Sequence, residues 1–130
     1  LIVCTKPSYW FSSPQRGDVV MFKRAETTGD NSFYVKRIVG EPGDIVTIKT
    51  GVTYINGEEY SEPWLNETPF EEDFGPFEVP EGEYFCMGDN RNASWDCRYW
   101  EEHFVPENRI SAKVQIVLSG DKFALVGDGR

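Results

Sequence analysis

A chain of 130 residues is expected to be one domain, long enough to bury well over half of the surface it exposes when unfolded. Its 13 Lys and Arg against 22 Asp and Glu leave a formal charge of −9. That balance argues against nucleic acid, whose phosphates demand a basic surplus, and against electrostatic attraction to anionic lipid. No apolar run approaches the roughly 18 residues that a spanning helix requires.

In chain order, Leu1-Ile2-Val3-Cys4 predicts a strand. The aromatic cluster Tyr9-Trp10-Phe11 fits a core, with apolar insertion into a membrane surface as the alternative. Pro14-Gln15-Arg16-Gly17-Asp18 reads as a turn into the strand Val19-Val20-Met21-Phe22. The tripeptide Arg16-Gly17-Asp18 also spells an integrin-binding motif, but so short a motif recurs by chance and here it leads into a strand. A polar loop from Glu26 to Ser32 precedes a strand from Phe33 to Val39, in which alternation sets Tyr34, Lys36 and Ile38 on one face and Val35, Arg37 and Val39 on the other.

Glu41-Pro42-Gly43-Asp44 turns the chain into Ile45-Val46-Thr47-Ile48, and Lys49-Thr50-Gly51 turns it again. The run from Thr53 to Tyr60 predicts a hairpin about Asn56-Gly57, a dipeptide that accepts the positive φ angles of a tight turn. Residues 61–80, rich in Glu, Pro and Phe without a sustained period, predict a long irregular loop. A strand from Tyr84 to Met87 and a polar loop from Gly88 to Trp100 follow. His103-Phe104-Val105-Pro106 then crosses to strands around Ile110 to Leu118 and Phe123 to Val126, with a helical turn at Pro106 to Arg109. The predicted class is mostly β, with twisted antiparallel sheets forming a partly closed barrel.

Lys36 is the residue with the most chemistry to offer. A lysine serves as a general base only when burial among apolar groups lowers its pKa from about 10.4. Its place beside Tyr34 and Ile38 would allow that, whereas a lysine ending in solvent at a sheet edge is the ordinary alternative. Metal sites are not predicted, nor any cofactor. Cys86, Cys97 and His103 lack a fourth ligand at zinc-like spacing. Asn90, Asn92, Ser94, Asp96 and Glu101 copy part of a calcium loop, but Trp95 stands where the sharp turn needs Gly.

The stretch from Gly88 to Trp100 resembles the signature of type I signal peptidases, the serine/lysine endopeptidases that remove signal peptides from exported proteins. The stretch from Tyr34 to Asp44 resembles their lysine-bearing segment, and Arg16 to Phe22 the strand before it. The resemblance runs from about Leu1 to Leu118 and implies the compact form without a large inserted domain. It implies Lys36 as general base and Ser94 as the residue that orients it, with ion pairs Asp96–Arg98 and Asp89–Arg37 holding the site. Read from the residues alone, these pairs could be surface contacts worth under about 1 kcal/mol each, more readily so for Asp96–Arg98. The resemblance also implies a signal peptide lying along Tyr34-Val35-Lys36 as an added strand, with Met21 and Val35 in its shallow pockets.

The family's nucleophile lies in an upstream Ser-x-x-Pro motif just after a membrane anchor, and nothing before Arg16 reads that way. The expectation is a chain beginning after the nucleophile, from a protein held on the outer face of the cytoplasmic membrane, and inactive in this form. A non-catalytic relative, serving as an assembly or binding factor on that face, is the alternative. A self-cleaving regulator of the related repressor type would need a DNA-binding domain upstream. Cys97 departs from the family's usual Ser, Cys86 from an apolar residue, and His103 from a Gly, while Glu101-Glu102 lengthens that connection. A Cys86–Cys97 bridge would add roughly 2–3 kcal/mol, but two free buried thiols are the commoner outcome for such a pair.

Overall fold

A computed structural model describes residues 2–5, 13–116, 118–119 and 122–123, with side chains described over 13–114. The Tyr9-Trp10-Phe11 cluster, the Cys4 side chain and the chain after Phe123 lie outside the described residues. Among the described residues, strands run in the order β1 (Ile2–Thr5), β2 (Val19–Lys23), β3 (Phe33–Gly40), β4 (Ile45–Lys49), β5 (Val52–Ile55), β6 (Glu58–Glu59), β7 (Phe74–Glu78), β8 (Glu83–Met87), β9 (Val105–Pro106), β10 (Ile110–Ile116), β11 (Leu118–Ser119) and β12 (Lys122–Phe123). Single 3-10 turns stand at Glu26–Thr28, Arg91–Ala93 and Glu107–Arg109, and the described residues contain no α-helix.

A six-stranded sheet has the order β1-β10-β2-β3-β8-β9, a four-stranded sheet the order β6-β5-β4-β7, and β11 pairs with β12. All pairings are antiparallel. Among the described residues neither larger sheet closes on itself.

The two sheets share one core. Val20, Phe22, Ile38 and Phe85 from the first pack with Val46, Ile48 and Phe77 from the second, and the Phe77 and Phe85 rings stack at 4.6 Å. The joint lies where β3 passes into β4. A Cβ on Gly40 would stand 2.7 Å from Val46 Cγ2 and 3.0 Å from Val79 Cγ2, so the sheets approach there to a distance that only glycine permits. The turn that follows is clasped by Asp44, which accepts hydrogen bonds from the Glu41 N–H (2.8 Å), the Arg16 guanidinium and the Asn56 amide (3.1 Å).

The predicted hairpin about Asn56-Gly57 forms, with φ of 53° and 87° at the two turn residues and Ile55 opposite Glu58. The expectation of an irregular loop over 61–80 needs correction, because Phe74–Glu78 is a strand, β7, pairing with β4 through Val46↔Phe77 and Ile45↔Glu78. Gly75-Pro76 interrupts its apolar pattern and conceals it in the sequence. Pro76 is tolerated because β7 is an edge strand, which need not donate on its outer side.

Candidate active site

β3 carries the centre of the site. Its alternation buries Tyr34, Lys36 and Ile38 on the core face, and Lys36 is only 1% exposed. Along one side β3 pairs with β2 from Phe33↔Lys23 to Arg37↔Val19. Along the other, pairing with β8 begins only at Arg37↔Met87, so among the described residues the Phe33–Lys36 edge has no strand beside it. The stretch after β8 leaves the sheet at this point and folds back across the buried face of β3.

That stretch brings Ser94 to Lys36. The Lys36 Nζ donates to Ser94 Oγ at 3.0 Å, and the Ser94 hydroxyl donates to Asp96 Oδ2 at 2.8 Å. An ionised carboxylate only accepts, so the Ser94 proton points to Asp96 and its oxygen is left as an acceptor toward the lysine. Asp96 is held in turn by the Gly88 N–H (2.9 Å) and by Arg98, whose Nε and NH2 each lie 2.9 Å from a carboxylate oxygen. Burial by itself would pull the Arg98 pKa down, and the hydrogen bonds and charge of Asp96 outweigh it and raise it. Asp96 and Arg98 are both buried, so the reading of this pair as a surface contact is corrected. The chain folds so tightly here that two residues close in sequence form an interior ion pair.

Arg37 meets Asp89 in a forked contact, Nε to Oδ1 at 2.9 Å and NH2 to Oδ2 at 2.7 Å, while its NH1 reaches the Gly17 carbonyl at 2.8 Å. Met21 and Val35 stand opposite each other on β2 and β3, half-buried, on the sheet face away from Lys36. The Arg16-Gly17-Asp18 tripeptide is built into the fold rather than displayed. Arg16 bonds the Val39 carbonyl and pairs with Asp44, and Gly17 and Asp18 exchange backbone hydrogen bonds with Ile38.

Three supports of the site escaped the sequence reading. Arg91 is buried in an ion pair with Glu62, which latches the 61–73 stretch onto the loop. Asn92 accepts from the Phe70 N–H (2.8 Å) and donates to the Thr68 carbonyl (3.1 Å), strengthening the same contact. Arg24 lies against the rings of Trp95 and Trp100, at 5.1 and 4.5 Å. Only the Asn-rich texture of residues 90–92 hinted at loop-anchoring side chains, and nothing local marked Glu62 or Arg24.

Cys86 and Cys97 are free, buried thiols, with the Cys86 N–H directed at Cys97 Sγ (3.3 Å). Burial, with the hydrogen bond to Cys97 second, pushes the Cys86 pKa well above the usual thiol value. His103 Nδ1 lies 2.8 Å from the Cys97 carbonyl oxygen. Among the described residues, no group of three or more His, Cys, Asp or Glu is placed to hold a metal ion.

The family model described as signal peptidase, peptidase S26, matches residues 1–119. The chain belongs to this signal peptidase family. It is 37% identical over 112 residues to the probable signal peptidase I-2 of Synechocystis sp., a match covering 84% of this chain and 50% of that protein. It is 47% identical over 93 residues to a signal peptidase I of Bacillus licheniformis, covering 65% of this chain and 48% of the relative. The chain thus spans about half the length of these signal peptidases. A crystal structure of a signal peptidase I from Enterococcus faecalis V583 superposes with a TM-score of 0.64 at 30% identity, covering 78% of this chain and 97% of that one. The mostly antiparallel β architecture is accordingly that of a signal peptidase I.

Proposed function

We propose that the protein to which this chain belongs is a serine endopeptidase that removes signal peptides from exported preproteins. Lys36 serves as general base, and the nucleophilic serine comes from residues preceding Leu1. The observation that carries this reading is the buried Lys36–Ser94 hydrogen bond beside a Phe33–Lys36 edge that no described strand pairs with. Neutral Lys36 takes the serine proton as the serine oxygen attacks the scissile carbonyl. The same proton then goes to the departing amine, and water releases the acyl group from the serine. Ser94 is a positioning residue, holding the amine by one N–H. Asp96 with Arg98 fixes Ser94, and Asp89 with Arg37 fixes the loop to β3.

The preprotein lies as an added strand along Tyr34-Val35-Lys36, its small side chains at −1 and −3 over Met21 and Val35. Among the described residues no helix is long and apolar enough to cross a membrane. The tether we propose is a single upstream helix, which places this domain on the extracytoplasmic face of the cell membrane.

The test compares the 130-residue chain with one extended upstream through the Ser-x-x-Pro motif, on a peptide with small residues at −1 and −3. The short chain should turn over nothing, since the nucleophile we propose is not among its residues, and the extended chain should cleave. Lys36→Ala in the extended chain should abolish cleavage with the fold intact. Cleavage by Lys36→Ala at the parental rate would end the serine/lysine assignment, and an extended chain that binds peptide without cutting it would favour a binding factor.

A further inference from the structure

Trp95 is 45% exposed although its neighbours Ser94 and Asp96 are buried. Its ring is nonetheless held in place. It lies 6.2 Å from the Tyr34 ring, 5.6 Å edge-on from Trp100, and 5.1 Å from the Arg24 guanidinium. Arg24 is paired with Asp30 (3.6 Å), which accepts the Tyr34 hydroxyl at 2.6 Å. An exposed indole fixed by two aromatic neighbours and a cation is a preformed surface, with little left to order when something lands on it.

Its position gives that surface a role. Successive residues of the loop stand over alternate residues of β3, Ser94 on Lys36 and Trp95 on Tyr34, roughly 7 Å apart along the strand. A chain added at the Phe33–Lys36 edge therefore runs beside Trp95 as it approaches the lysine. Side chains of an added strand alternate between faces. If those at −1 and −3 share the face of Met21 and Val35, the side chain at −2 projects to the Tyr34 face, where Tyr34 itself is covered and the exposed indole is met first.

We propose that Trp95 is a specificity-determining residue, an aromatic shelf that favours a bulky apolar or aromatic side chain at −2. The inference rests on the signal-peptide-cleaving reading above. Aromatic contacts of this kind discriminate by about five-fold. The preference enters through binding, since the indole touches no reacting atom.

The experiment uses the protein extended through its serine motif and soluble peptides that differ only at −2, carrying Gly, Leu or Phe, without lipid. Phe should exceed Gly in kcat/KM by about five-fold, mainly through KM. Trp95→Ala should bring the two peptides to the same value, and Trp95→Phe should restore most of the difference. The proposal is overturned if the parent shows no −2 preference, or if Trp95→Ala lowers every peptide by the same factor, which would make Trp95 only a prop for the Ser94 loop. It is overturned equally if Trp95 matters only when phosphatidylglycerol vesicles are added, because the indole would then be seated in a bilayer. A parent that cleaves none of the peptides rejects the signal-peptidase reading itself, whereas a parent that cleaves through Lys36 without −2 preference rejects the shelf alone.

Discussion

Ser94 stands between a buried amine and a buried ion pair, so substitutions on its two sides should fail in different ways. In the serine-extended chain, Ser94→Ala removes the acceptor of the Lys36 hydrogen bond and leaves Asp96 with the Gly88 N–H and Arg98. Stability should fall by about 1 kcal/mol. If Lys36 is the base we propose, cleavage should fall roughly 100-fold, in kcat rather than KM, because the amine is no longer held in its reacting geometry. Arg98→Ala, by contrast, leaves the Asp96 carboxylate buried without its cation and should destabilise the fold by about 3–5 kcal/mol. Urea unfolding monitored by tryptophan fluorescence, alongside turnover, separates the two. A Ser94→Ala protein as unstable as Arg98→Ala would show that the serine supports the fold more than the lysine.

At the scale of elements, the β3–β4 turn sets where β3 ends and the second sheet begins. Asp44 clasps it. Burial would raise the Asp44 carboxyl pKa, but hydrogen bonds from the Glu41 N–H, Arg16 and Asn56 outweigh it and hold the value below its usual 3.8. A carboxyl depressed on folding contributes stability in full above its unfolded pKa, and loses it as pH falls through the folded one. Unfolding free energy should therefore drop below about pH 4, and Asp44→Asn should be less stable at pH 7 with a shallower acid limb. Urea midpoints from pH 2 to 7 provide the measurement, and an unchanged acid limb in Asp44→Asn would remove Asp44 from the account.

Across the whole molecule, the two sheets meet in a core that seals Cys86 and Cys97 a short distance from Lys36. Both thiols are without exposed surface, and the high pKa of Cys86 leaves almost none of it as the reactive thiolate at neutral pH. In native protein at pH 7 a thiol reagent should leave Cys86 and Cys97 unmodified, and in denaturant both should react, as read by mass spectrometry of the peptides carrying them. Rapid native labelling of either would mean that the core opens locally far more often than its packing implies.

Alternation along Phe33 to Val39 is a local property, and it grouped Lys36 with Tyr34 and Ile38 but left open whether that face was buried. Asn56-Gly57 likewise determined its hairpin through the φ angles those two residues accept, and the ordered matches around Lys36 and Ser94 pointed to the signal peptidase family. Tertiary structure decided the rest. Lys36 and Ser94 are 58 residues apart, and they meet only because β8 pairs with β3 from Arg37 onward and releases the loop beside the lysine. Glu62 finds Arg91 across 29 residues, and the Asp96–Arg98 pair is interior because Arg98 lies against the Phe74 and Tyr99 rings and bonds the Arg91 carbonyl. β7 stayed hidden because its edge position, which excuses Pro76, is a fact about neighbours rather than about its own residues. Side-chain periodicity is written into each strand, but burial and charge pairing depend on which strands become neighbours, and that is settled only when the whole core forms.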